Sequence, residues 1–271
     1  MQKLYSYLWQ SNIKYIIMKR SIFVFILFVC AVYGFAQFKN ASYMVNGYTL
    51  PYLVMFPENY DATKQYPLVV MLHGAGERGD DNQKQLTHGK QFLSEHFQSA
   101  YPAIVIVPQC PANNYWSNVV RHQIEDKMTL TFGLSDEPTQ SMKTAMWLIQ
   151  DWLSSGKVDV SRVYIGGLSM GGMGTLEMLW RMPQTFAAAF PICGGADLSK
   201  LPLYAKHTAV WLFHGDDDSV VPVDNSRDIY ARLKTLGCDV EYTEYKGVNH
   251  GSWVNAFDEK ELVPWLFKHK K

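Results

Sequence analysis

Tyr164-Ile165-Gly166-Gly167-Leu168-Ser169-Met170-Gly171-Gly172-Met173-Gly174-Thr175 sets one hydroxyl among small residues, between a strand-like run and the start of a helix. Glycines stand two positions before and two positions after Ser169. A surface serine has no need of them. A serine forced onto a tight strand-to-helix turn does, because small flanks let the backbone turn sharply and leave the hydroxyl exposed. Gly167-Leu168-Ser169-Met170-Gly171 thus has the form G-x-S-x-G, and the helix that follows would aim its first amides and positive dipole end at developing negative charge.

A hydroxyl at its ordinary pKa is a poor nucleophile, so Ser169 would need a base, a group to orient that base and donors for an oxyanion. His250, in "GVNHGSW", lies downstream of Ser169 in a glycine-flanked loop after the last strand-like run. It is the candidate base. His207 precedes a strand and His269 lies near the C-terminus, so both read as surface residues. His73 and His214 each precede a glycine at a strand end and read as packed, hydrogen-bonded structural histidines. The orienting acid should fall between Ser169 and His250, where "HGDDDSVVP" offers Asp216, Asp217 and Asp218. Pattern alone does not choose among the three. No further acidic spacing supports a metal site there, and the chemistry asks for no metal or organic cofactor.

Around these loops the chain alternates strands and helices. "ASYMVNGYTL" and "YLVMFP" read as an opening antiparallel pair about Asn46-Gly47. "PLVVMLHG", "AIVIVPQC", "SRVYIGG", "AAAFPICGG" and "TAVWLFHG" are mostly apolar throughout, as strands buried on both faces are, and "VEYTEY" reads as a last strand. Met142, Met146, Ile149 and Leu153 form a helical stripe ended by Gly156. "GTLEMLWRM" predicts a helix stopped before Pro183, a further helix runs from about Asp224 to Leu236, and "NAFDEKELVPWLFKHK" predicts one closing helix. The pattern is α/β, with a mainly parallel sheet covered on both faces and ligands bound beyond the carboxyl ends of its strands. Four glycine-containing loops occupy those ends and should converge.

The chain has 271 residues, 48% of them apolar and 14% aromatic, enough for one large core. Its 25 basic and 25 acidic residues cancel, which leaves no field to attract nucleic acid or an anionic membrane. From Met18, "MKRSIFVFILFVCAVYGFAQ" reads as a secretory signal peptide, its apolar run shorter than the roughly 20 residues that span a bilayer. The expected division is an N-terminal extension and signal peptide over residues 1–36 and a single domain over 37–271. The mature chain would be secreted or periplasmic, without stable membrane insertion. Cys110, Cys193 and Cys238 allow at most one internal disulfide, have no CxxC or zinc-like spacing, and read mostly as buried structural residues.

Taken together, "LHGAGERGDDN", "VPQCP", "RVYIGGLSMGGMGT", "FHGDDDSVVP" and "NHGSW" resemble the α/β-hydrolase superfamily. Within it the chain is similar to secreted feruloyl-esterase and polyhydroxybutyrate-depolymerase-like esterases, a group whose relatives often carry the label of predicted peptidase. The resemblance spans roughly Ala41 to the C-terminus. It implies an α/β-hydrolase fold with a mainly parallel eight-stranded sheet, helices on both faces and a Ser169–His250–Asp218 triad, Asp218 matching the acid of H-G-x-x-D-x-x-V-P. It also implies an oxyanion hole of the Met170 amide and the Ala75 amide, with Gly76 as the fallback for the second.

The implied activity is a serine carboxylesterase acting on a small-molecule or polysaccharide-linked ester, such as feruloyl or acetyl esters of plant polysaccharides. The alternatives are a prolyl-oligopeptidase-like serine peptidase and a catalytically silent binding module on the same fold. Tyr115 and Trp116, after "VPQCP", and Trp253, beyond His250, are expected near the cleft, and Trp116 and Trp253 are the candidate substrate-binding rings. The stretch from Asn113 to Ser135 carries little information about substrate.

Overall fold

The computed structural model describes residues 38–124 and 127–271. The segment read as extension and signal peptide lies outside the described residues. Among the described residues, no helix is long and apolar enough to cross a membrane.

Strands β1 (Lys39–Val45) and β2 (Tyr48–Met55) pair antiparallel across Asn46 and Gly47. Those two residues take φ of 50° and 78°, the doubly positive turn that Asn-Gly favours in two-residue hairpins. The sheet continues through β3 (Tyr66–Leu72), β4 (Ile104–Pro108), β7 (Val158–Leu168), β8 (Ala188–Ile192), β9 (Ala209–Gly215) and β10 (Val240–Tyr245). Its eight strands run in the order β1-β2-β4-β3-β7-β8-β9-β10. The β1–β2 and β2–β4 pairings are antiparallel, and every pairing from β4 to β10 is parallel. The chain has the α/β-hydrolase fold.

Strands β4, β8 and β9 are buried at every position, which is why they read as unbroken apolar runs rather than alternating ones. Two apolar clusters flank the sheet. One includes Ile149, Trp152, Leu176 and Ile229 from helices α2 (Gln140–Ser154), α3 (Met170–Arg181) and α4 (Asp224–Thr235). The other includes Phe92, Ala256 and Leu266 from α1 (Lys90–Glu95), α5 (Trp253–Phe257) and α6 (Leu262–Lys268).

The stripe of Met142, Met146, Ile149 and Leu153 forms α2, whose first turn is capped by Thr139 through its hydroxyl and the Met142 amide. Past α2 and α4 the chain turns at Gly156 (φ 75°) and Gly237 (φ 66°), as glycine permits.

Three features differ from expectation. The C-terminal segment forms two short helices, α5 and α6, with a break between Phe257 and Leu262 instead of one helix. Pro264 falls in the first turn of α6, where its missing N–H costs no intrahelical bond. Helix α1, six residues with only Phe92 and Leu93 buried, is too short to carry an apolar period that the sequence pattern would show. The stretch from Asn113 to Ser135 contains a separate hairpin of β5 (Val119–Ile124) and β6 (Lys127–Phe132), and Phe132 packs onto Gly195 in the loop after β8.

Cys110, Cys193 and Cys238 are all buried and unbridged. The Cys110 thiol lies 3.3 Å from the Ser141 hydroxyl, and the Cys238 thiol donates to the Thr208 carbonyl at 3.4 Å.

Candidate active site

Ser169 stands between the end of β7 and the start of α3 with φ 52° and ψ −114°, a strained backbone that a non-glycine residue holds only when its surroundings impose it. The surroundings are backbone packed on backbone. A β-carbon on Gly167 or Gly171 would run into the facing segment, since Gly167 abuts the Gly171 carbonyl and Gly171 abuts the Leu72 carbonyl at the end of β3. The Ser169 amide donates to the Ile192 carbonyl of β8 at 2.9 Å, and the Ser169 carbonyl accepts the Met173 amide at 3.0 Å. The glycines therefore do more than bend the turn: they let three strand ends close on it.

His250 presents Nε2 to Ser169 Oγ at 2.9 Å. Its Nδ1 lies 2.8 and 3.0 Å from the two carboxylate oxygens of Asp218. With Nδ1–H donating to a carboxylate, Nε2 is left to accept the serine proton. Ser169 and Asp218 come from loops that end β7 and β9, and His250 from the loop after β10. The convergence expected from the glycine loops is present.

Asp218 is separated from its neighbours by burial. Its side chain has no solvent exposure, whereas Asp216 and Asp217 are exposed. Asp216 accepts the Gly247 amide instead. Burial alone would raise the Asp218 pKa, but hydrogen bonds from His214, His250 and the Val221 and Val220 amides more than offset it. The carboxyl is held well below the usual carboxylate range, so it is charged where His250 needs it.

The two expected oxyanion donors belong to adjoining segments. Gly74 packs against Leu168, 2.8 Å from where its β-carbon would be, which sets the Ala75–Glu77 turn beside Ser169 and Met170. Ala75 and Met170 each open a helical turn, where first amides lack an intrahelical acceptor. Among the described residues, no backbone carbonyl outside those turns accepts either amide.

His73 and His214 are buried and hydrogen-bonded, as expected of structural histidines. The Cys110 amide donates to His73 Nε2 at 2.9 Å, so the ring proton sits on Nδ1 and donates to the Gly74 carbonyl at 2.7 Å. Burial pushes the His73 pKa down to about 4, which keeps the ring neutral.

Trp116 corrects the reading of the aromatic residues. It is fully buried rather than lining the cleft, with Nε1 donating to the His73 carbonyl at 3.2 Å and its ring 5.4 Å from the His73 ring. Its Cβ would lie 2.5 Å from a β-carbon on Gly174, so the glycine in α3 admits the indole beneath the site. No surface of it is available to a ligand. Tyr115 is partly buried, against Arg78. Trp253 is partly exposed and stands edge-on to the His250 ring at 5.5 Å. It also lines a groove of about 630 Å³ with His88, Lys90, Val254 and Phe257.

Cys193, which the sequence reads only as a buried structural residue, is buried under the site with φ 41° and its thiol 3.7 Å from the His250 carbonyl. Its position directly after β8 was the available signal of that place. Cys193 Sγ, an Asp218 oxygen and a His250 nitrogen lie within 4.8 Å of one another. Asp218 and His250 already engage each other there, and burial pushes the Cys193 thiol up, which disfavours the thiolate a metal would take.

A family model described as Phospholipase/Carboxylesterase matches residues 59–260. A carboxylesterase of Arabidopsis thaliana, SOBER1, is 26% identical over 215 residues, covering 75% of this chain and 90% of its own. Lysophospholipase-like protein 1 of Mus musculus is 23% identical over 207 residues, covering 73% and 84%. Among solved structures, a thermostable esterase superposes with a TM-score of 0.75 at 36% identity over 86% of this chain, which spans 63% of that protein's length. A ferulic acid esterase superposes with a TM-score of 0.64 at 17% identity, covering 87% of this chain and 99% of that one, a likeness of fold.

Proposed function

The chain belongs to the phospholipase/carboxylesterase family, and on that footing we propose that it is a serine esterase acting by two-step acyl transfer through Ser169, His250 and Asp218. The observation that carries the reading is the unbroken hydrogen-bonded line from Ser169 Oγ through both nitrogens of His250 to Asp218. His250 Nε2 takes the proton of Ser169 as Oγ attacks the ester carbonyl carbon. The carbonyl oxygen becomes an oxyanion facing the Met170 and Ala75 amides. His250 returns the proton to the departing alkoxide, and the same base then activates water to hydrolyse the acyl-serine. Asp218 holds the tautomer and stabilises the imidazolium.

For substrate, the finer reading is an ester with an aromatic or acetyl acyl group on a plant polysaccharide, handled outside the cell. Trp253 supports it, as a partly exposed ring beside His250 on which a phenolic or sugar face could stack. Export is supported by the charged and apolar run after Met18. Several relatives are named acyl-protein thioesterases, and a thioester would use the same three residues.

The test compares kcat/KM for a methyl hydroxycinnamate, a short aliphatic ester, an acyl thioester and a chromogenic dipeptide amide, with Ser169→Ala as control. Ester turnover that falls by roughly three to six orders of magnitude in Ser169→Ala is the expected result. If the amide is the best substrate, the esterase reading fails. If the aliphatic ester or the thioester wins, the enzyme remains a hydrolase of this family and the aromatic assignment is lost.

A further inference from the structure

The Ala75–Glu77 turn is poorly equipped to hold itself. It is three residues long, Gly74 at its start offers no side-chain cap, and its Glu77 amide reaches the Gly74 carbonyl only at 3.4 Å. Such a bond is long for N–H···O and contributes little. Yet the second oxyanion donor must be aimed to within a few tenths of an ångström if it is to stabilise a developing charge.

Arg78 supplies what the turn lacks. Its Nε donates to the Ala75 carbonyl at 2.9 Å, while Nη1 donates to the carbonyls of Ala112 and Asn114 at 3.1 and 3.2 Å. Its guanidinium also stands 5.7 Å from the centre of the Tyr115 ring. The segment at the far end of this fork is well anchored. The Tyr115 carbonyl accepts Thr139 Oγ1 at 2.7 Å, Trp116 is buried under His73, and Ser117 Oγ donates to Glu177 of α3 at 2.7 Å. Glu177 is in turn fixed by Arg181 at 2.8 Å. Arg78 thus ties a weak turn to a rigid support that reaches α3, the helix carrying the other donor, Met170.

We propose that Arg78 is a positioning residue for the oxyanion site, its planar fork locking the Ala75 turn to the 112–117 segment so that the Ala75 amide faces the acyl carbonyl. The assignment rests on the serine-esterase reading above. The fork matters because one planar group serves carbonyls on two separate segments, which a lysine ammonium cannot match in fixed geometry. The positive charge is felt around the site as well, since Arg78 contributes to lowering the pKa of the buried His73. Charge and geometry must therefore be separated by experiment.

Wild type, Arg78→Ala and Arg78→Lys are compared for kcat and KM on a short-chain aryl ester, for affinity toward a trifluoromethyl ketone that forms a tetrahedral adduct at Ser169, and for Tm. Arg78→Ala should lose about 10- to 100-fold in kcat with KM nearly unchanged, and the ketone should weaken by a similar factor. Arg78→Lys should recover only a small part of the loss, and it carries the test if Arg78→Ala does not fold.

A lowered Tm with kcat and ketone affinity unchanged would reduce Arg78 to a structural tie and overturn the proposal. Full recovery in Arg78→Lys would do so too, by making charge rather than the fork responsible. A wild-type chain that turns over no ester defeats the esterase reading and this assignment with it, whereas active wild type beside an equally active Arg78→Ala defeats this assignment alone.

Discussion

His214 and Asp218, four residues apart at the end of β9, meet with Nε2 of the histidine 3.2 Å from Oδ2 of the carboxylate, and neither side chain is exposed to solvent. The same Nε2–H lies 3.0 Å from the Val221 carbonyl, which leaves Nδ1 to accept the Ser226 hydroxyl at 2.7 Å. Asp218 also accepts the Val220 and Val221 amides at 2.8 and 2.9 Å. The carboxylate is therefore oriented before His250 reaches it.

Asp218→Asn should lower kcat by roughly 10⁴-fold, because an amide leaves His250 free to take the wrong tautomer. Asp216→Asn and Asp217→Asn, at exposed positions without contact to His250, should cost little. Steady-state kinetics on the three variants check this, and a larger loss at Asp216 or Asp217 would move the role of the acid there.

Gly171→Ala should cripple the fold around the site as well as activity. The added carbon would press on the Leu72 carbonyl and stand 2.8 Å from the His73 carbonyl, and both partners are backbone at a buried strand end. Relief requires separating β3 from the start of α3, at a cost of about 1–3 kcal/mol or more. Thermal unfolding and ester turnover should both suffer, so a variant with wild-type Tm and rate would refute the packing argument.

Trp116→Ala should behave as a core truncation. Removing the fully buried indole costs about 3–5 kcal/mol and should lower Tm on the order of 10 °C. The ratio of kcat/KM between aryl and aliphatic esters should stay near that of wild type. Trp253→Ala should do the reverse, changing that ratio with a smaller loss of Tm. A selective loss of aryl esters in Trp116→Ala would restore it as a binding residue.

His73 should make stability depend on pH in a defined window. Its folded pKa, about 4, lies below the ordinary 6.5, so the unfolded chain binds more protons between those values. Stability tied to His73 is complete above about 6.5 and is lost as pH falls toward about 4. Asp218 acts in the same direction at lower pH, since its depressed pKa contributes stability above its ordinary 3.8 and loses it only below. Denaturant unfolding at several pH values, in wild type and His73→Asn, checks this. The slope between pH 6.5 and 4 should be shallower in the variant, and equal slopes would exclude His73 as its source.

Much of this molecule follows from local chemistry that the sequence carries openly. Strands buried on both faces announce themselves as unbroken apolar runs, Asn46-Gly47 as a hairpin, and Gly167 and Gly171 as the flanks of an exposed serine. Ser169 and His250 could be named because each sits in a glycine-bearing loop at a strand end, and parallel strands bring such loops to one edge. The choice of Asp218 over Asp216 and Asp217 needed either a family resemblance or the structure. Nothing in three consecutive aspartates shows which one turns inward against His214.

Trp116 was beyond local reading for a similar reason. An aromatic residue after a strand looks the same whether it walls a cleft or fills a gap, and the gap is made by Gly174, 58 positions away in the chain. Arg78 and the β5–β6 hairpin belong to the same class. Their partners are carbonyls and loops from distant segments, and polar contacts of that kind leave no periodicity behind. Spacing and apolar pattern, which reflect burial along one segment, determined the fold and the identity of the reacting groups. Contacts between segments, which depend on where the sheet order brings them, decided which side chains face the site and which hold it in place.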